Sequence, residues 1–123
     1  MSKKDLFLTI DFEDWKFDLS YKYNILKNNT INEEQLYKSY YSIEKFIDKK
    51  FKKKKITFFF TGILAKKFPK IIEEISQNGH EIGCHYFHHN NIFNDTVLNF
   101  KYNIQKAKGY LEDITGKRVS GFR

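Results

Sequence analysis

The chain is poor in the features that mark several large classes of protein. Its single cysteine, Cys84, cannot close an internal disulfide, which excludes a scaffold stapled within the chain and fits a reducing compartment. No run approaches the ~18 apolar residues that a membrane-spanning helix needs. The first residues, Met1-Ser2-Lys3-Lys4-Asp5, lack the long apolar segment of a secretory signal, so the expected location is cytoplasmic. Arginine is nearly absent and no nucleic-acid motif is present, so the net charge of +7 does not by itself make a nucleic-acid-binding surface. Much of that charge lies in Lys49-Lys50-Phe51-Lys52-Lys53-Lys54-Lys55, at the end of an expected helix, where cations complement the helix dipole.

What is present suits one globular domain. In 123 residues, 41% are hydrophobic and 18% aromatic, enough for a core. Leu6-Phe7-Leu8-Thr9-Ile10 is a compact run of strand formers that predicts a buried parallel strand ending in the acidic cluster Asp11-Phe12-Glu13-Asp14. Residues 15–32 mix aromatics with Asn, Lys and Ser and read as a loop lining a cleft. Asn32 can cap a helix whose first turn holds Glu33 and Glu34, with Leu36, Tyr40, Ile43, Ile47 and Phe51 on one face.

Residues 56–62 form the second expected strand. A helix follows through Ile63-Leu64-Ala65, breaks or restarts at Phe68-Pro69 and stops at Asn78-Gly79. His80 to Cys84 predicts a third strand, with Glu81, Gly83 and His85 on one face, His80, Ile82 and Cys84 on the other, and Gly83 leaving room beneath His85. A last helix, capped near Asp95, carries Val97, Lys101, Ile104, Ala107, Leu111 and Ile114 and ends at Thr115-Gly116. Residues 118–123 look like the start of a fourth strand. Strands alternating with helix-length crossovers specify a parallel sheet with helices outside it. Four strands cannot close a barrel, and the chain therefore reads as part of something about twice as long.

The stretch that carries chemistry is Gly79 to His89. His85 and His89 stand four apart just beyond an expected strand, and a helical turn or tight loop at that spacing brings both imidazoles to one ion. Catalytic zinc sites commonly use three protein ligands and a water, so a carboxylate must come from elsewhere, and the acidic cluster also falls at a strand's carboxyl end. Period-two geometry puts Glu13 on the face of Asp11 if the strand stays extended there, but the chain is leaving the strand at that point, and Asp11, Glu13 and Asp14 all compete for the role. His80 and His88 read as bystanders.

With those residues in hand, the chain resembles the polysaccharide deacetylases of the NodB-homology type, carbohydrate esterase family 4. Thr9-Ile10-Asp11-Phe12-Glu13-Asp14-Trp15 is similar to the family's first motif in a longer variant, Gly79 to His89 to the second, and Gly121-Phe122-Arg123 to the opening of the third. The resemblance implies the N-terminal half of a distorted (β/α) barrel, residues 1–123, with the C-terminal half absent. It implies a metal-dependent hydrolase that removes N-acetyl groups from a polysaccharide or glycan, holding a divalent ion, zinc first among candidates. Asp11 would be the base and Arg123 its partner. His85, His89 and Asp14 would hold the ion, with Glu13 as the alternative to Asp14. The family's general acid is a histidine of a later motif, so these residues alone are expected to turn over weakly or not at all. Other readings are an allantoinase-like amidohydrolase, a non-haem iron oxygenase, whose usual all-β setting is missing here, and an inactive glycan-binding remnant.

Overall fold

In the computed structural model, residues 6–14, 19, 22–24, 31–52, 54–89 and 91–123 are described. Trp15 and most of the predicted cleft loop lie outside that set, as do Met1 to Asp5 and Lys53. The sheet has three parallel strands in the order β1 (Thr9–Asp11), β2 (Thr57–Phe60) and β3 (Glu81–Cys84). Helix α1 (Glu33–Phe51) connects β1 to β2. Helices α2 (Gly62–Lys67) and α3 (Pro69–Gln77) connect β2 to β3, and α4 (Val97–Thr115) follows a 3-10 turn at Ile92–Asn94. No helix among the described residues is long and apolar enough to cross a membrane.

The first strand is shorter than its apolar run predicts. The register starts with Thr9 opposite Thr57; among the described residues no strand pairing includes Leu6 or Phe7, and both are exposed. The fourth strand is reduced to one parallel bridge between Phe122 and Cys84. Cys84 N–H donates to Gly121 O at 2.8 Å and Arg123 N–H to Cys84 O at 3.1 Å. That bridge suffices to hold Arg123 beside the end of β3.

Helix boundaries follow the local chemistry. Asn32 Oδ1 accepts from Gln35 N–H at 3.1 Å and satisfies one of the orphan donors of α1; Leu36, Tyr40 and Ile47 are buried, with Ile43 and Phe51 packed at the margin. Pro69 opens α3, where its missing N–H costs nothing. The cap of α4 is Thr96, whose Oγ1 accepts from Asn99 N–H at 3.2 Å, one residue beyond the expected Asp95. Ala107 and Leu111 of its stripe are buried, but Val97 is exposed, because the inward face starts further along the helix.

Aligned rows across a parallel sheet share a face. Ile10, Phe58 and Ile82 form one row, and with Phe60 and Cys84 they meet the helices in the single core, beside Leu64, Ile71, Ile72, Ile75 and Leu111. Asp11, Phe59 and Gly83 form a row on the opposite face. The expected division of β3 into two faces is observed, but the space above Gly83 is filled. A Cβ there would lie 2.5 Å from the Phe59 ring. Gly83 therefore makes room for an aromatic ring of the neighbouring strand and not for His85.

Candidate metal centre

The acidic cluster is sorted by how far β1 stays extended. Phe12 N–H still donates to Phe59 O at 2.9 Å, and the Phe12 side chain is buried among Phe58 and Phe60. Alternation therefore persists one residue past the strand, sending Phe12 to the core and both Asp11 and Glu13 to the opposite face. Asp14 falls on the other side of that alternation, and its Oδ2 accepts from Asn32 N–H at 3.1 Å, tying the exit of β1 to the cap of α1. The sequence-based preference for Asp14 thus differs from the geometry: the carboxylate brought to the two histidines is that of Glu13. Asp14 stays close by, lining the same small cavity as Glu13, Thr61, Leu64 and His89.

The histidines converge through a tight loop. His85 N–H donates to Phe60 O at 2.8 Å, continuing the β3 pairing, and then Tyr86 takes φ +64°, which turns the chain and sets the two rings 5.3 Å apart, centre to centre. Gly62 and Ile63 N–H, at the start of α2, donate to Tyr86 O and Phe87 O at 2.9 and 3.1 Å. The approach is close enough to require glycine at 62, where a Cβ would lie 2.3 Å from the Phe87 ring.

Glu13 Oε1 is 2.8 Å from His85 Nε2 and 3.2 Å from His89 Nε2. One ligand atom from each of Glu13, His85 and His89 lies within 4.8 Å of the others. Ligand atoms around a tetrahedral zinc ion stand roughly 3.3 Å apart, so the set is close to that spacing. The tautomer strengthens the fit. His85 Nδ1 is 2.7 Å from the main-chain oxygen of Arg123, an acceptor only, so Nδ1 carries the proton. In the neutral ring Nε2 then has a lone pair aimed at a carboxylate oxygen. Two lone pairs at that distance repel unless a cation lies between them, whether a proton or a metal ion. The same carboxylate is the main reason that the His85 pKa is raised, against burial, with smaller contributions from the Arg123 carbonyl and Asp11. Two imidazoles and a carboxylate suit a borderline divalent ion.

Beside this triad, Arg123 Nη2 is 3.4 Å from Asp11 Oδ2, and Nη1 donates to Thr9 Oγ1 at 2.6 Å. The guanidinium also lies over the Phe59 ring, 6.0 Å from its centre. Asp11 and Arg123, expected to act together, are thus brought together. His80 is elsewhere: buried, with Nδ1 accepting from Ile56 N–H at 3.2 Å and Nε2 against Glu44, it pins α1 to the sheet. His88 is exposed, and burial of part of its ring together with Lys106 lowers its pKa. Sequence reasoning missed the left-handed turn at Tyr86. It undervalued Phe12, whose apolar character between two acids is the signal that the strand alternation continues.

The family model for polysaccharide deacetylases matches residues 47–123, which include the histidine pair and Arg123 but not the acidic cluster. The peptidoglycan-N-acetylmuramic acid deacetylase PdaA of Bacillus subtilis is 36% identical over 62 residues, 50% of this chain and 24% of the relative. A chitooligosaccharide deacetylase of Azorhizobium caulinodans is 38% identical over 61 residues, 50% of this chain and 29% of the relative. The chain thus spans about a quarter of the length of these curated relatives. Among solved structures, a mutant of BA3943 of Bacillus anthracis, a CE4 family pseudoenzyme with restored enzymatic activity, superposes with a TM-score of 0.61 at 26% identity, covering 66% of this chain and 29% of that one.

Proposed function

The chain belongs to the polysaccharide deacetylase family, and from that premise we propose that residues 1–123 form the N-terminal half of a NodB-homology domain hydrolysing N-acetyl groups of a glycan with the help of a divalent metal ion. The observation that carries this reading is the convergence of His85 Nε2 and His89 Nε2 on one carboxylate oxygen, Glu13 Oε1, at 2.8 and 3.2 Å. Glu13, His85 and His89 would hold the ion, and zinc is the choice that best suits two imidazoles and one carboxylate. When bound, such an ion polarises the acetyl carbonyl and acidifies water.

The remaining work falls to the chain's own groups. Asp11, on the same face as Glu13, takes the proton of the attacking water. Arg123, itself held by its 2.6 Å hydrogen bond to Thr9 Oγ1, fixes the direction in which that carboxylate points through a contact of 3.4 Å. The carbon-nitrogen bond of the amide breaks, acetate departs with the oxygen of the water, and the amine leaves as it gains a proton. The carboxylate of Asp11 lies beside the nucleophile, so a separate acid must serve the amine. Of the four histidines, two are committed to the ion, His80 is enclosed between Ile56 and Glu44, and His88 is exposed against the Phe87 ring. The relatives named above act on peptidoglycan and on chitooligosaccharide, which supports a substrate rich in N-acetylated sugars.

The test is acetate release from N-acetylglucosamine oligomers, with zinc or with chelator, for the native chain and His85→Ala. Slow, chelator-sensitive release that rises with added buffer acid and vanishes in the variant is expected. An ion bound at the site without metal-dependent acetate release at any buffer concentration would overturn the deacetylase reading. Fast release without a buffer acid would overturn the need for a further acid group.

A further inference from the structure

Tyr86 lies between the two histidines and is there at a cost. Its φ of +64° is one that residues with a Cβ adopt rarely, and nothing about a tyrosine eases it. A left-handed residue persists only where its surroundings hold it, and here they do so from three sides. The side chain is buried, with 4% of its surface exposed. Its ring stacks on Phe100 of α4 at 5.6 Å and 26°. Its hydroxyl donates to Asp95, just ahead of α4, and accepts from Asn103 Nδ2 at 3.2 Å. The main-chain oxygen is taken by Gly62 at the start of α2.

We propose that Tyr86 is a positioning residue for the metal centre: its side chain, clamped by Asp95, Phe100 and Asn103, stores the left-handed turn that presets His85 and His89 to meet at Glu13. The inference rests on the metal-binding reading of that triad. The turn reverses the chain between two ligands, and a loop that relaxed to right-handed geometry at residue 86 would separate the imidazoles. The cost of forming the turn is met by the clamp during folding and not by the ion on binding. Removing the clamp therefore weakens the ion's hold although neither Tyr86 nor Asp95 is one of the three ligands.

The experiment is a zinc titration by calorimetry of the native chain, Tyr86→Phe, Asp95→Ala and, as a control in the core of the same helix, Leu111→Val, each with its metal-free unfolding midpoint. Tyr86→Phe keeps the ring stack and loses only the hydroxyl bonds. Losses of about 10-fold in zinc affinity are expected for it and for Asp95→Ala, the lower end of what outer partners of metal ligands cost. Leu111→Val is expected to lower the midpoint and leave affinity unchanged. Unchanged affinity in both clamp variants, or an equal loss in Leu111→Val, overturns the proposal while leaving the metal site standing. Failure of the native chain to bind one ion removes the site reading and this inference with it.

Discussion

Glu13 Oε1 is shared between His85 Nε2 at 2.8 Å and His89 Nε2 at 3.2 Å, a junction of the first strand with the loop after the third. The junction exists because Phe12 keeps its hydrogen bond to Phe59 O and carries strand alternation to residue 13. It follows that Glu13→Gln, which leaves shape intact and removes the charge, should reduce zinc affinity by about 100-fold, as should His85→Ala, whereas Asp14→Asn should cost less than 10-fold. Calorimetric titration of the three variants decides between the carboxylates. A larger loss for Asp14→Asn than for Glu13→Gln would return the ligand role to Asp14.

The same contact sets a pH dependence. The His85 pKa is raised above its ordinary 6.5, chiefly by Glu13. A proton on Nε2 competes with the ion, so zinc affinity should fall about tenfold per pH unit once pH drops below the raised pKa, and the break should move to lower pH in Glu13→Gln. In the metal-free chain the sign is the reverse. A histidine whose folded pKa is raised contributes stability that is complete below the unfolded value and is lost as pH rises through the folded one. Urea unfolding should therefore show the native chain losing stability relative to Glu13→Gln as pH rises from 6 to 8. A difference that does not change over that range would contradict the pairing.

Much of this arrangement was legible in the residues because it depends on local rules. Apolar periodicity and caps located α1, the break at Phe68-Pro69 and the αL end of α4 at Gly116, each set by neighbours within a turn. That His85 and His89 would meet was legible from their spacing, though the turn that brings them together was not. The choice between Glu13 and Asp14 was not legible, since it turns on whether one backbone hydrogen bond to β2 survives past Asp11, a fact of pairing and not of propensity. Exposure of Leu6 and Phe7 was hidden for a related reason: strand formers make a strand only where a partner's backbone runs alongside. Tyr86 is the clearest miss, because tyrosine carries no signal for a left-handed turn and the clamp that enforces it comes from residues 95–103.

Phe59 over Gly83 is the packing relationship that sequence periodicity placed on the right face with the wrong occupant. A methyl group at 83 would meet two ring carbons at 2.5 Å, and both residues are buried. Gly83→Ala should therefore destabilise the chain by about 1–3 kcal/mol, the usual range for overpacking, measured by urea unfolding. Phe59→Leu should recover part of that loss in the double variant. Since the Phe59 ring also lies under the Arg123 guanidinium, Gly83→Ala should disturb Asp11–Arg123 before it disturbs the histidines. Equal stability of Gly83→Ala and the native chain would mean the ring moves aside freely.

Tyr40 offers a test of the core that is independent of any metal. It is fully buried on the inward face of α1, its hydroxyl accepts from Asn78 Nδ2 at 2.6 Å, and burial pushes its pKa from 10 up to about 12. Between those values the unfolded chain has given up the phenolic proton and the folded chain has kept it, so stability falls as pH rises through this window. At one unit of pKa for each ~1.4 kcal/mol, the loss attributable to Tyr40 should reach about 2 kcal/mol near pH 11.5. Other tyrosines and the lysines titrate there too, and the informative quantity is the difference from Tyr40→Phe. That variant gives up one hydrogen bond, about 1 kcal/mol at neutral pH. Its deficit against the native chain should shrink and then reverse as pH climbs beyond 10. Parallel stability curves for the two proteins up to pH 11.5 would show that the Tyr40 hydroxyl reaches solvent, and that α1 is not seated on the sheet as described.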